Sequence, residues 1–237
     1  MDRQHRRDLR HDKFVDEIGS LSTRARENQR LLYTITLGLV VVALIGYGIY
    51  FYRSNREQKA QDLLATAIDT IESPLITPGQ PAAPNAKFKT EAERTAKAES
   101  QFNDLEKQYS GTDAADVGNL YLARIQASRG DVAGAKKLLE AFISDHPDHL
   151  LVGAARYSLY QLRIESGEAA QVATEVDREL AKQKDQILPG DTLLVVLAHA
   201  YDAQGNDAKS KDAYRRIVTE FPDSPYAVEA NRRVGPA

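Results

Sequence analysis

Histidine is the residue type with the most scope for chemistry in this sequence, and it occurs five times, at positions 5, 11, 146, 149 and 199. Two of these lie in Asp145 to His149, DHPDH, where imidazole and carboxylate groups of the kinds that bind zinc fall close together. Pro147 places this segment on a turn, and no second cluster of ligands elsewhere completes a site. We therefore interpret it as Asp and Pro residues that end a helix, and we expect no metal ion.

Other patterns that carry catalysis do not occur in the chain. The sequence contains no cysteine, which excludes disulfides, thiolate nucleophiles and cysteine-bound zinc. It also lacks a nucleophile-elbow serine, a phosphate-binding glycine loop and a dinucleotide fingerprint. These absences predict a protein that is not an enzyme and that uses no cofactor.

Charge and composition favour an ordered domain that does not bind nucleic acid. The 237 residues carry a formal net charge of −3, which does not supply the basic surface that nucleic acids require. Hydrophobic residues make up 42% of the chain, too many for a disordered tail. We therefore predict a packed, alanine-rich helical domain, and we expect it to bind neither nucleic acid nor a small-molecule substrate.

A long apolar stretch, Leu31 to Tyr52, precedes the elements that must position any binding surface. Its sequence is LLYTITLGLVVVALIGYGIYFY. It contains no charged residue, and as a helix its 22 residues extend about 33 Å, against about 30 Å for the hydrocarbon core of a bilayer. We predict a single transmembrane helix. A buried helix of a soluble domain would keep a polar stripe, and a cleaved secretory signal would be shorter and end in small residues.

Flanking charges predict the orientation of this helix. Residues 1–30 carry eight Lys or Arg, whereas residues 53–72 carry three. Because cationic flanks tend to stay cytoplasmic, we predict a basic cytoplasmic tail at 1–30, an inner-membrane span, and a periplasmic domain within 53–237. In the tail, apolar residues at helical spacing favour a short amphipathic helix, with Phe14, Val15, Ile18 and Leu21 on one face.

Residues 53–87 connect the predicted span to the rest of the chain. Arg53 to Ser73 is rich in helix-forming residues, with an apolar face of Leu63, Leu64, Ala67, Ile68 and Ile71. Ser73 to Lys87 contains four prolines and cannot be helical throughout. We predict a helix that continues beyond the span, followed by a proline-rich surface loop.

From Phe88 onward the sequence repeats with a period of about 37 residues. Three similar segments begin at Ala98, Ala135 and Ser210, each with a small residue first and a Phe, Leu or Tyr four residues later. Turn glycines recur at similar intervals, at positions 130, 167 and 205. Since a glycine with positive φ commonly ends a helix, we predict helical hairpins that bend at these glycines.

This pattern resembles the tetratricopeptide repeat, in which small residues lie where helices cross. The clearest copy contains Leu197, Ala198, Tyr201, Gly205, Tyr214 and Pro222. A second copy contains Leu122, Ala123, Gly130, Ala135, Leu139 and Pro147. The copy around Gly167 is degenerate, with Val172 in place of the small residue. The resemblance implies an all-α fold for residues 88–237, a solenoid of helical hairpins closed by a capping helix in SPYAVEANRRV.

The resemblance also implies where partners would bind. Tetratricopeptide arrays bind polypeptide in a concave groove that is lined by the first helix of each hairpin. The groove positions of the family fall on eight residues of this chain, Leu120, Arg124, Ser128, Tyr157, Gln161, Val195, His199 and Asp202. Extended or partly folded client polypeptides are the expected ligands. The row of Lys and Asn that clamps a terminal carboxylate in some arrays is absent.

The complete layout resembles the ancillary subunit family of the bacterial SecYEG translocon. Members of that family are bitopic inner-membrane proteins, which implies a scaffold or chaperone-like factor that holds clients near the export machinery. The translocon and periplasmic chaperones would then be partners. The alternative function is an adaptor in an envelope complex for division or outer-membrane assembly. The proline-rich loop and the long N-terminal tail differ from the family pattern.

Overall fold

A computed structural model describes residues 29–79, 81, 83–182 and 186–235. Most of the predicted basic tail, including its amphipathic helix, lies outside the described residues. Within them the chain forms nine α-helices: α1 (Gln29–Glu72), α2 (Glu91–Tyr109), α3 (Asp113–Ser128), α4 (Val132–Asp145), α5 (Val152–Arg163), α6 (Ala169–Leu180), α7 (Gly190–Ala203), α8 (Asp207–Glu220) and α9 (Ala227–Val234). A short π-helical turn, Ile164–Glu168, links α5 to α6. The described residues confirm the all-α fold.

The chain divides into two compact units, residues 1–56 and 57–237, and α1 contributes residues to both. In the first unit, the large apolar side chains between Leu31 and Tyr52 are exposed. By length and composition this helix could cross a membrane. The apolar helix is therefore present where the sequence predicted it, and its insertion into a bilayer stays a prediction.

The second unit begins with the remainder of α1, which packs through Ala60, Leu64 and Ala67 into an apolar cluster with α2 and α3. The proline-rich loop follows, and both of its ends are fixed. The Ile76 amide donates to the carbonyl oxygen of Phe88 over 2.8 Å. The Arg94 guanidinium donates to the carbonyl oxygen of Ser73 over 2.9 Å. These two bonds tie the loop to its own flanks.

From α2 to α9 the helices of the second unit pack mainly on their neighbours in sequence. Buried alanines lie in these contacts, and Ala98, Ala135 and Ala198 are fully inaccessible to solvent. Because a methyl side chain lets two helix backbones approach closely, these positions set the spacing of the array. Leucines and aromatic residues fill the space around them, and the largest cluster spans α5 to α9.

Glycine forms the bend of three hairpins, as the spacing predicted. Gly130, Gly167 and Gly205 have φ angles of 83°, 91° and 69°, in the left-handed region that L side chains rarely adopt. After two of these bends a side chain caps the next helix. The Asp131 carboxylate accepts from the Gly134 amide over 3.0 Å, and the Asn206 side chain accepts from the Lys209 amide over 3.2 Å. The degenerate copy also bends at Gly167, without such a cap.

Side chains from two parts of the chain cap the start of α3. The Glu57 carboxylate accepts from the amides of Asp113 and Ala114 over 2.9 and 3.1 Å. The Thr112 hydroxyl accepts from the Ala115 amide over 3.2 Å. A helix leaves its first amides without intrahelical partners, and a carboxylate is favoured there by the helix dipole. Glu57 therefore joins the second-unit part of α1 to the start of α3.

Overpacking a helix crossing should destabilise the array. Ala198→Leu places three extra carbons in a site with no accessible surface, so we expect the free energy of unfolding to fall by about 1–3 kcal/mol. Thermal denaturation of the full-length chain followed by circular dichroism measures this. Ala208→Leu, on the exposed face of α8, is the matched control and should change stability little. An equal loss of stability in the two variants would contradict the assignment of Ala198 to a helix crossing.

Removing the long-range cap should weaken the first hairpin. Glu57→Ala leaves two amide groups without their charged acceptor, so we expect a loss of about 1–3 kcal/mol in unfolding free energy. Hydrogen exchange should become faster at the amides of Asp113 and Ala114 before it does in the rest of α3. Gln58→Ala, at the exposed neighbouring position, is the control. Unchanged exchange in the Glu57 variant would show that water caps the helix equally well.

Candidate functional site

An open cavity of about 530 Å³ lies among α3, α4 and α5. Its volume falls in the range that binds small molecules or a few side chains of a peptide. Four buried residues form its apolar floor, Ala123, Leu139, Ala155 and Leu162, and four half-buried residues form its walls, Leu120, Tyr121, Ala127 and Tyr157. An apolar surface of this kind, open to solvent, can bind large apolar side chains.

The two helices that line the cavity present equivalent rows of side chains. Leu120 and Tyr157 are 37 residues apart and lie at the apolar end. Arg124 and Gln161 form the next row at the same interval, and Glu165 follows one turn further along. Along the helices, the polar side chains therefore follow the large apolar pair, while the apolar lining continues beside them through Ala127 and Leu162.

The charged groups at the polar end have no partners within the described chain. Arg124 and Glu165 are exposed, and neither side chain makes a hydrogen bond or an ion pair in the structure described here. The neighbouring Arg163 differs, because its guanidinium donates to Glu175 over 2.7 and 2.8 Å and to Glu168 over 2.9 Å. Arg163 is thus held within the array, and Arg124 and Glu165 are available to a ligand.

Helix α9 packs on α8 and places Arg233 beside the predicted groove residue Asp202 of α7. Its Arg233 lies 3.9 Å from the Asp202 carboxylate and over the ring of Tyr214, 5.7 Å from the centroid. Tyr226, just before α9, packs against the same apolar cluster as Tyr157. The open cavity is therefore confined to the first two of the three predicted groove helices.

The eight predicted groove residues separate into two groups. Four of them line the open cavity together, Leu120, Arg124, Tyr157 and Gln161. Of the others, Ser128 donates its hydroxyl to the Ile125 carbonyl over 2.8 Å and does not line the cavity. Val195 is buried in the core, Asp202 pairs with α9, and the His199 ring lies 3.1 Å from the Gln161 amide. Glu165 also lines the cavity but was not among the predicted groove residues, although it lies one repeat after Ser128.

Burial controls the protonation of two groove residues. It lowers the pKa of His199, against the opposing influence of the nearby Glu229 and Asp202 carboxylates, while Arg233 also lowers it. The pKa of Tyr157 is raised, chiefly by burial. His199 is therefore a neutral imidazole at pH 7, suited to the hydrogen bond that joins α5 to α7.

The histidines of the DHPDH segment contact the first turn of α3. The Nε2 atom of His146 lies 3.1 Å from Asp116, and that of His149 lies 3.0 Å from Asp113. The ring of Phe142 packs beside both imidazoles. Among the described residues, no group of three or more ligating side chains is arranged to hold a metal ion. These contacts join the α4–α5 turn to α3.

Comparison with family models identifies the class of the protein. A model described as a tetratricopeptide repeat-like domain matches residues 28–194, and a tetratricopeptide repeat model matches residues 194–224. The chain belongs to the tetratricopeptide repeat-like family, which confirms the resemblance drawn from the repeat. No curated protein and no solved structure matches the chain. The finer resemblance to the translocon subunit family has no support from these comparisons.

Acidification should destabilise the array through His199. A lowered folded-state pKa means that this residue contributes stability above its ordinary pKa of about 6.5, and that the contribution is lost as pH falls through the folded value. We expect the wild-type melting temperature to fall more between about pH 7.5 and about pH 5 than that of His199→Gln. Thermal melts of both proteins across this range measure the difference. Parallel pH profiles would contradict the buried, neutral histidine.

Proposed function

We propose that the protein is a membrane-anchored scaffold that binds a segment of another polypeptide in the cavity between α3 and α5. The observation that carries the proposal is the open apolar floor bordered by two exposed charges, Arg124 and Glu165, that have no partner among the described side chains. Apolar burial there provides affinity, and Arg124, Gln161 and Glu165 provide orientation. Repeat arrays of this family generally act through protein contacts.

The apolar helix supports the anchoring part of the proposal. The length of the segment that carries its exposed apolar side chains matches the thickness of the hydrocarbon core of a bilayer. The cationic residues before it favour a cytoplasmic N-terminus. The domain that begins at Glu57 then lies in the periplasm of a bacterial cell. Anchoring would raise the local concentration of the groove near its partner, into the mM range for a short connection, so a weak contact suffices.

The site of action that we propose is the protein-export machinery, where emerging chains expose apolar segments. The layout of one span followed by exported repeats supports this placement near SecYEG and periplasmic chaperones. The second candidate is an adaptor that binds one folded protein of a division or outer-membrane assembly complex. Suppressed aggregation of several unrelated unfolded proteins would favour the first function, and tight binding to one native protein the second.

Filling the cavity should abolish binding. In Ala154→Trp a large ring occupies the cavity from an exposed lining position. A photo-reactive residue at Ser158, which also lines the cavity, should crosslink to partner polypeptides in cells, and Ala154→Trp should remove those products. The controls are Ala170→Trp and a photo-reactive residue at Thr174, both exposed on α6 and outside the cavity. Crosslinks that persist in Ala154→Trp would place the binding surface elsewhere.

The absence of cysteine allows a direct test of topology. A single cysteine introduced by Ala203→Cys, at an exposed site, should react with a membrane-impermeant maleimide in spheroplasts. Ser20→Cys, in the tail, should react only after lysis, because the tail is proposed to be cytoplasmic. Mass shift on a gel measures labelling without background from native thiols. The reverse pattern would show that the domain faces the cytoplasm.

A further inference from the structure

The open part of the groove is short. Beyond α5, the Gln161 amide contacts His199, and α9 holds Asp202 through Arg233. The first-helix surface that remains accessible belongs to α3 and α5, and the cavity there has a volume of about 530 Å³. A ligand that enters it contributes a few large side chains rather than a long stretch of extended chain.

The charges at this cavity have a fixed order. Arg124 lies in the same row as Gln161, one repeat apart, while Glu165 lies one helical turn beyond Gln161. At a rise of about 1.5 Å per residue, that turn corresponds to about 6 Å along the helix. The cation is therefore closer to the apolar end of the cavity, and the anion is closer to the Gly167 bend.

Each of these charges borders an apolar surface that excludes water when it is filled. A charge at such an edge gains most from an opposite charge on the ligand and disfavours a like charge. Neither Arg124 nor Glu165 is paired with another side chain of the described residues, so both are free to pair with charges on a ligand. A segment with only apolar residues leaves both unpaired.

We propose, on the basis of the function proposed above, that the cavity selects a short polypeptide segment in which large apolar residues lie beside an acidic residue. A basic residue lies further along the segment, at a distance that matches the helical turn between Gln161 and Glu165. The acidic side chain pairs with Arg124 next to the apolar anchor. The basic side chain pairs with Glu165 toward the bend. The order of the two charges relative to the apolar anchor determines the preferred peptide and its direction in the groove.

The test uses the full-length chain in detergent micelles and fluorescent peptides of about ten residues, roughly 33 Å when extended. All peptides share a Leu and Phe anchor. One carries Glu beside the anchor and Lys further along, a second carries these charges exchanged, and a third carries Gln at both positions. Fluorescence anisotropy gives the dissociation constants for wild-type protein and for Arg124→Glu, Glu165→Lys and the double variant.

We expect wild-type protein to bind the peptide with Glu beside the anchor about three- to tenfold more tightly than the exchanged peptide. Each single reversal should reduce this preference, and the double reversal should invert it. Lys137→Glu combined with Glu140→Lys is the matched control, since both residues are exposed on α4 outside the cavity. The control should keep the wild-type preference.

Two failures can be distinguished. In the first, all three peptides bind and Ala154→Trp abolishes the binding, but the charge reversals leave the preference unchanged. The cavity then binds polypeptide without selecting the order of charges, and this inference alone is overturned. If the α4 control alters the preference equally, this inference is also overturned, because the effect then comes from the electrostatic field of the whole protein. If no peptide binds, or if Ala154→Trp leaves binding intact, the proposed function falls as well.

Discussion

Close approach of helix backbones at small residues is the constraint on which the second unit depends. Ala98, Ala135 and Ala198 have no accessible surface, and Gly118 lies so near Leu105 that a Cβ atom there would come within 3.0 Å of its side chain. A single hairpin cannot bury its apolar face alone, so each pair is stabilised by the next. The cavity is lined by α3 and α5, which each pack on α4, and α4 contributes Leu139 to its floor.

The hairpins were predictable because their signals are local. Glycine at a bend and alanine at a crossing are each required by the backbone at one position, so their period carries the fold even through the degenerate copy at Gly167. Four residues that line the cavity were predicted by projecting the groove positions of the family onto the copies, Leu120, Arg124, Tyr157 and Gln161. Glu165 lies one repeat after Ser128, and carrying that groove position into the next copy would have found it.

What the sequence did not indicate comes from contacts that have no period. Glu57 caps α3 from more than fifty positions away, and nothing in its neighbourhood marks it as different from other exposed glutamates. The position of α9 is a similar case. The resemblance to the tetratricopeptide repeat implied a capping helix, but the contacts of Arg233 with Asp202 and Tyr214 are not spaced as a repeat.

The length of the open groove is therefore set by the end of the array rather than by the number of repeats. Helix α9 has eight residues, too few to be helical in isolation, so its conformation depends on Ala227 and Ala230, which are buried against the array. Of the three predicted groove residues on α7, Val195 is buried in the core, and Asp202 is half-buried beside Arg233 of α9. In the function proposed above, selectivity therefore depends on the few polar groups of the first two hairpins.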